Sequence, residues 1–263
     1  MKISLHRINI ILWFLIRPCL YKQFFRELIS FFKRKEHPTL QSNEESLKWC
    51  ESIALDEENA IKKINPTWRF IDFNKRFPDL TAQGFEKIRS FDFNWGGQGN
   101  ISLNYSIAHH LKATHIIETG VAYGWSSMSL LKAIDVQETG SLTSVDMPFW
   151  GTKHEDQIGC VVPQVLKNKW TLIRLPDRDA LPKILKGIKK FDMCHYDSDK
   201  SYEGKTWALP KLWESIKSGG VLICDDANDN LAFRDFCNEQ TIEPIIAKTF
   251  DSQVVKYVGI AVK

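Results

Sequence analysis

Short apolar runs alternate with stretches of helical spacing over the second half of the chain. These runs are bounded by turn residues or acids, a pattern that predicts strands. The predicted strands cover residues 115–119, 141–146, 170–175, 191–196 and 220–224. Because strands that alternate with helices favour a parallel sheet, we predict an α/β domain with helices packed against the sheet.

Residues 1–37 follow a different pattern and form a leader. Residues 8–16 are apolar apart from Asn9, but this run is well short of the roughly 20 residues that span a bilayer. From Leu20 to Phe32, apolar pairs recur at helical spacing, which predicts an amphipathic helix. This helix either lies in a membrane interface or packs on the body of the protein or a second subunit.

Residues 38–100 are predicted to form a helical cap and linker between the leader and the α/β domain. Residues 44–64 have helical spacing that ends before Pro66. Residues 91–100 then combine aromatic side chains with glycines. Because loops often carry binding residues, we expect this segment to cover a substrate site. The candidate walls of that substrate site are Trp95 from this segment and three aromatic residues from elsewhere in the chain: Trp125, Trp150 and Tyr202.

The charge of the chain is uneven. Residues 1–35 hold eight Lys and Arg against Glu27 alone, which gives them a net charge of +7. The whole chain carries +3, so the remaining residues carry −4. An acidic body argues against nucleic acid at the active site, whereas the basic leader indicates an anionic membrane surface. The six cysteines contain no C-x-x-C pair, so neither disulfides nor zinc is indicated. We therefore expect a cytoplasmic protein, with peripheral attachment to the inner face of the membrane as an option.

The first predicted strand runs into a glycine-spaced turn and then into an apolar helix. Gly120 and Gly124 allow a sharp turn and a close approach to a ligand, and the helix that opens near Ser126 offers free N–H groups to a carboxylate. The dinucleotide fingerprint G-x-G-x-x-G fails, because Ala122 and Trp125 occupy its second and third glycine positions.

The pattern Glu118-x-Gly120-x-x-x-Gly124, with an acid inside the strand, resembles motif I of class I S-adenosylmethionine (SAM) methyltransferases. The resemblance extends over residues 101–263. It implies a second strand that ends in an acid bonded to the ribose hydroxyls. It also implies an apolar or thioether side chain on the adenine face and an acid-containing loop at the adenine edge. The cofactor-binding residues that it implies are Glu118, Gly120, Gly124, Ser126, Asp146, Met147 and Asp179.

Carboxylates also follow the fourth and fifth predicted strands. Since the carboxyl ends of neighbouring strands face one crevice, Asp197, Asp225 and Asp226 could provide three oxygen ligands to one Mg²⁺. The spacing Asp197-x-x-Lys200 with the acid pair resembles metal-dependent O-methyltransferases of the catechol, caffeoyl-CoA and macrolide-sugar types. Those relatives often carry His at the position of Lys200, and the catechol type carries Asp-Asn where this chain has Asp225-Asp226. His195, inside an apolar strand, is predicted to be a core histidine.

The resemblance implies a Rossmann-like, doubly wound, mostly parallel seven-stranded sheet with an N-terminal helical extension. It implies SAM-dependent methyl transfer to a hydroxyl of a small molecule, either a sugar or a phenol, and the membrane-facing leader favours a sugar or glycan. Asp197 and Lys200 are the predicted catalytic residues. A lowered pKa would let Lys200 take the proton of a metal-bound hydroxyl. We expect the leader to govern location and not chemistry, because it is separate from every catalytic motif.

Two other functions remain open. A nicotinamide-dependent oxidoreductase could use a similar sheet, although Ala122 and Trp125 disfavour it. A membrane-associated protein that binds SAM without turnover would also keep the fold. The sequence does not indicate an oligomeric state.

Overall fold

The computed structural model describes residues 5–33, 40–149, 154–187, 190–251 and 254–263. Within these residues, eight strands form one sheet in the order β1-β7-β8-β6-β5-β2-β3-β4. The strands are β1 (Ala54–Asp56), β2 (His115–Thr119), β3 (Ser141–Val145), β4 (Trp170–Ile173), β5 (Phe191–Tyr196), β6 (Ile216–Cys224), β7 (Ile245–Asp251) and β8 (Val254–Val262). Only β8 runs antiparallel to its neighbours, β6 and β7. The predicted mostly parallel α/β fold is confirmed, but the sheet is mixed and has eight strands instead of seven.

Helices cover both faces of the sheet. They are α1 (Leu5–Leu15), α2 (Tyr21–Lys33), α3 (Leu40–Ile53), α4 (Glu57–Ile64), α5 (Phe73–Arg76), α6 (Pro78–Ile88), α7 (Ile101–His110), α8 (Trp125–Val136), α9 (Asp177–Ile184), α10 (Tyr202–Ser215) and α11 (Ala232–Gln240). Successive strand residues point to opposite faces, so Ile116 packs in the core layer with α7 and α8, while Ile117 packs with α9, α10 and α11.

The eighth strand lies where the sequence predicts one continuous helix over residues 44–64. Helix α3 ends at Ile53, and β1 then pairs in parallel with β7 at the edge of the sheet. A new helix begins because the Asp56 side chain accepts a hydrogen bond from the Asn59 N–H at 2.8 Å and caps α4. The apolar spacing continues on both sides of this break and so conceals it.

The connections reverse direction between β2 and β5. From β2 the chain moves outward through β3 to β4 and then returns to place β5 on the other side of β2. Such a switch point opens a crevice at the carboxyl ends of the strands. The ladder continues past these ends, because the Asp197 N–H donates to the Thr119 carbonyl at 2.8 Å and the Asp225 N–H to the Tyr196 carbonyl at 2.9 Å. Both acids are therefore held at the crevice by their own backbone.

The leader forms α1 and α2. Phe14 and Leu20 are buried, and the Phe14 ring lies 5.2 Å from that of Phe24. Within the described ranges, no helix combines the length and apolar character that crossing a bilayer requires.

Candidate functional site

Two adjoining cavities occupy the crevice. The larger, of about 450 Å³, is bounded by the segments that follow β2, β3, β4 and β5. The smaller, of about 170 Å³, lies between the β2–α8 turn, residues 95–100 and the strand ends of β6 and β8. Both cavities are lined by Trp95, Val121, Ala122, Asp197 and Lys200.

The β2–α8 turn contributes residues to both cavities. Gly120 has φ +82°, and a Cβ there would overlap the main-chain carbonyl of Asp197, so the turn requires glycine. Gly124 has φ +90° and is the N-cap of α8. Gly120 lines the larger cavity, whereas Ser126, in the first turn of α8, lines the smaller one. The predicted glycine turn thus faces the crevice, with the helix start beside it.

Glu118 lies beneath the cavities and not in their walls. Its side chain is fully buried and accepts hydrogen bonds from the hydroxyls of Ser126 at 2.7 Å, Ser127 at 2.5 Å and Ser144 at 2.6 Å. These bonds tie β2 to β3 and to the start of α8. In this structure Glu118 positions the turn, and its predicted contact with a cofactor stays a prediction.

Asp146 lies directly after β3, in the wall of the larger cavity. Its carboxylate accepts a hydrogen bond from the Val121 N–H at 3.1 Å and pairs with the Arg174 guanidinium. Burial raises the pKa of Asp146, and Arg174 opposes this rise. Met147 follows in the same wall. The structure therefore brings together Gly120, Asp146 and Met147, as the sequence predicts.

Asp179 lies outside the lining of the larger cavity. The predicted loop around it is the first turn of α9, where acids are favoured by the helix dipole. Its carboxylate accepts hydrogen bonds from Arg26 of α2. Asp177, two residues earlier, does line the cavity, and burial raises its pKa to about 6. The adenine-edge role of Asp179 stays a prediction, and spacing alone did not reveal Asp177.

Asp197 and Lys200 stand where the cavities meet. Their side chains lie 3.6 Å apart, and the Lys200 ammonium also donates to Asp226. Burial and the neighbouring Asp225 raise the pKa of Asp197 to about 7, against the opposing effect of Lys200. Burial lowers the pKa of Lys200, but Asp197 and Asp226 more than reverse this and raise it. The expected lowering of the Lys200 pKa is therefore wrong: Lys200 is an ammonium in this arrangement.

Asp226 is neutralised by lysines. Besides Lys200, the Lys256 ammonium donates to its carboxylate at 2.8 Å, and the Lys205 ammonium donates to its main-chain carbonyl at 2.5 Å. Although burial raises the pKa of Asp226, Lys200 and Lys256 hold it below its ordinary value. The sequence analysis missed Lys256, which comes from β8.

The carboxylate of Asp225 lies beside Asn100 and the buried His195. The Asn100 amide donates to its carboxylate at 2.9 Å, and His195 Nε2 lies 3.4 Å from the same oxygen. His195 Nδ1 lies 3.6 Å from Glu118. Burial opposes protonation of His195, but Asp225 and Glu118 raise its pKa to about 10. His195 is a core residue, as predicted, and its ring lies between the two carboxylates.

The three carboxylates do not form the predicted metal site. Across the residues that the structure describes, no group of three His, Cys, Asp or Glu side chains is arranged to hold a metal ion. Mg²⁺ needs oxygens in near-octahedral geometry. Asp226 instead faces two ammonium groups, and Asp225 faces Asn100 and His195. These donors do not fit Mg²⁺ in the observed arrangement.

Residues 95–100 of the aromatic and glycine segment line the smaller cavity, and the role of this segment as cover of a substrate site stays a prediction. Trp95 lines both cavities, and its indole N–H donates to Gln157 at 3.1 Å, which fixes the ring. Trp125 lines the smaller cavity. Tyr202 is exposed and its hydroxyl donates to Asp235, so it is not a wall. Trp150 lies outside the described residues.

Comparison with known proteins agrees with this geometry. Residues 117–227 match the family model described as a methyltransferase domain. No curated protein sequence matches the chain significantly. Similar solved structures include an O-methyltransferase from Bacillus cereus in complex with SAH, with 14% identity, a TM-score of 0.54 and coverage of 81% of this chain and 100% of that one.

Two further structures are similar at the level of the fold. The O-methyltransferase TomG from Streptomyces achromogenes, involved in tomaymycin synthesis and solved with SAM, has 16% identity and a TM-score of 0.51, with 84% of this chain and 96% of that one covered. The SAH-bound methyltransferase PaMTH1 from Podospora anserina has 12% identity and a TM-score of 0.51, with 85% and 96% covered. The domain match confirms the predicted resemblance to methyltransferases and the prediction that the enzyme class is a methyltransferase, and the structures confirm the fold.

Proposed function

We propose that this methyltransferase binds SAM in the larger cavity and transfers its methyl group to a hydroxyl of an acceptor held in the smaller cavity. The observation that carries the proposal is the position of Asp197 and Lys200, which line both cavities. A methyl donor and its acceptor must meet in line and at near-contact distance. The junction beside Asp197 is where ligands in the two cavities would meet.

The charge of the larger cavity supports SAM over a nicotinamide dinucleotide. Its acidic lining residues are Glu27, Asp146, Asp177, Asp197 and Asp199, and its basic ones are Arg178 and Lys200. An excess of carboxylates favours a cationic sulfonium and disfavours the two phosphates of a dinucleotide. This feature is independent of the glycine motif.

The smaller cavity suits a polyhydroxylated acceptor. Its walls offer the amides of Gln98 and Asn100, the hydroxyl of Thr249 and the ammonium of Lys256 beside the carboxylates. Hydroxyl groups of a sugar both donate and accept hydrogen bonds, so this mixture matches them. A sugar or glycan is therefore the acceptor class that we propose.

In the proposed reaction, the acceptor oxygen would bond to the methyl carbon while the methyl–sulfur bond breaks, so that SAH would leave as a neutral thioether and the hydroxyl proton would pass to Asp197. A carboxylate with a pKa near the working pH is suited to proton removal. Lys200 and Lys256, both charged, would stabilise negative charge that develops on the oxygen. SAM supplies an activated methyl group when bound. No step of this mechanism depends on the predicted Mg²⁺, which the observed arrangement of the three carboxylates does not fit.

Binding and turnover experiments test the proposal separately. Calorimetry with SAM, SAH, NADH and NADPH should show binding of the first two only. SAH formation should then be measured over a panel of neutral sugars and phenols. Tight NADH binding without SAM binding would support the oxidoreductase, and SAM binding without turnover on any acceptor would support the non-catalytic alternative.

Peripheral membrane attachment is a second part of the proposal. Residues 1–35 of the leader carry +7, and the leader exposes apolar side chains: Ile11, Leu12, Leu15, Ile16, Phe25, Leu28 and Ile29. Each basic residue near an anionic surface contributes about 1 kcal/mol, and apolar burial adds to this. Binding should therefore be strongest to anionic vesicles at low salt.

Vesicle sedimentation can distinguish a membrane from a protein partner. Full-length protein should pellet with phosphatidylserine vesicles more than with neutral ones, and Phe25→Ser with Ile29→Ser should abolish the difference. Val165→Ser, at an exposed apolar position away from the leader, is the matched control. Absence of vesicle binding, with dimers that the same double variant disrupts, would instead support the second-subunit alternative.

A further inference from the structure

Helix α2 of the leader reaches the larger cavity. Gln23 and Glu27 line it together with Asp146 and Met147. Residues four apart lie on one face of a helix, so a single face of α2 is turned to the cavity. The expectation that the leader is separate from the catalytic motifs is therefore wrong for α2.

A partly buried ion pair fastens α2 in this position. Arg26 donates to both carboxylate oxygens of Asp179, a bidentate geometry that fixes orientation as well as distance. The two side chains are 31% and 12% exposed, so solvent screens the pair only in part. The contact joins residues that are 153 positions apart in the chain. It connects the leader to the first turn of α9, which flanks the same cavity.

The ion pair also orients the residues that face the cavity. The Arg26 Nε–H donates to the Gln23 side-chain oxygen at 2.8 Å. The Gln23 amide in turn donates to the Glu27 carboxylate at 2.6 Å. A chain of hydrogen bonds therefore runs from Asp179 through Arg26 and Gln23 to Glu27, and each member restricts the rotamers of the next.

We infer that α2 is a wall of the SAM site, with Arg26–Asp179 as its latch and Glu27 as a positioning residue for the cofactor. This inference rests on the proposed function. The nucleoside of SAM presents hydroxyl and amino donors, and its sulfonium is cationic. The Glu27 carboxylate adds a further acceptor to the cavity that Asp146 lines, so it complements both features.

The latch is tested by calorimetric SAM titration of full-length variants. Arg26→Glu should weaken SAM binding about tenfold, because it places a negative charge against Asp179 and releases Gln23 and Glu27. The charge exchange Arg26→Glu with Asp179→Arg should restore the affinity to within about twofold. Lys22→Glu makes the same charge change at an exposed position of α2 and should leave the affinity unchanged.

The contact itself is tested by Glu27→Gln, which keeps the latch and the shape of the wall. It should weaken SAM about three- to tenfold without changing the thermal unfolding midpoint of the SAM-free protein. If Arg26→Glu proves unfolded, the SAM affinity of Glu27→Gln alone decides whether α2 is a wall of the SAM site. In wild-type protein, SAM should also slow hydrogen exchange of the α2 amides.

The outcomes separate the two proposals. If wild-type protein fails to bind SAM, the proposed function is wrong. Wild-type protein that binds SAM, with unchanged affinity in folded Arg26→Glu and Glu27→Gln variants, overturns only the role of α2.

Discussion

The larger and smaller cavities adjoin, but they are assembled in different ways. The larger one is built mainly from segments that directly follow successive parallel strands, such as Gly120 after β2 and Asp146 after β3. The smaller one combines residues 95–100 with Asp226 and with Lys256 of an antiparallel strand. The larger cavity is therefore encoded mainly by local sequence, whereas the smaller cavity depends on tertiary contacts between distant segments. Only the junction belongs to both.

The largest expected effect is at that junction. Asp197→Asn keeps the shape of the side chain but cannot take a proton, so kcat should fall by about 10²–10⁴. SAM affinity should fall by far less than kcat, because Asn retains hydrogen-bonding capacity and the other carboxylates of the larger cavity remain. Asp199→Asn is the matched control, since Asp199 lines only the larger cavity. Unchanged turnover in Asp197→Asn, measured as SAH release, would exclude Asp197 as the base.

A smaller effect is expected within the larger cavity alone. Asp146→Ala should weaken SAM binding by roughly 1.5–3 kcal/mol, because the ribose hydroxyls lose a charged acceptor. The variant also removes one of the two carboxylate partners of Arg174, which keeps its bond to Glu155, so Arg174→Ala should be titrated in parallel to separate the two losses. The KM for the acceptor should not change. Equal SAM affinity in folded Asp146→Ala and wild type would remove Asp146 from the site.

The pH profile should distinguish the junction from the lysines around it. Burial and Asp225 raise the pKa of Asp197 to about 7. A base works only when ionised, so kcat/KM should fall to about half of its high-pH plateau at pH 7 and to about a tenth of that plateau at pH 6. Lys200, whose pKa is raised, stays charged and causes no loss between pH 7 and 9. A flat profile, or the same acid limb in the residual activity of Asp197→Asn, would contradict this assignment.

The contrast between the cavities also explains which features were predictable. Asp146 could be found because a strand, a glycine turn and the next strand occur in order within a short stretch. Lys256, the partner of Asp226 from β8, could not be found from such a pattern. Antiparallel pairing of β6 with β8 places Cys224 opposite Gly259, and this register brings Lys256 to the Asp226 carboxylate. No local pattern specifies that register.

The other errors have similar causes. Strand β1 was hidden because its three residues continue the helical spacing of the segments around it, and only pairing with β7 defines it. The direction of the Lys200 pKa depends on how close two carboxylates come, which spacing along the chain does not give. The place of α2 beside the larger cavity depends on the Arg26–Asp179 pair, which no motif marks.

The smallest effect is expected from removal of divalent cations. Asp226 is neutralised by Lys200 and Lys256, so a cation would have to displace two ammonium groups to bind it. EDTA-dialysed protein should therefore keep its turnover to within about twofold, and added Mg²⁺ should not raise its thermal unfolding midpoint. Lys256→Met tests cation binding more sharply than wild-type protein, because it frees one carboxylate oxygen of Asp226 for a cation while Lys200 still occupies the other. If EDTA abolishes turnover and Mg²⁺ restores it, the sequence-based ligand set of Asp197, Asp225 and Asp226 is right. The smaller cavity must then rearrange around the metal, whereas the larger cavity would need no change.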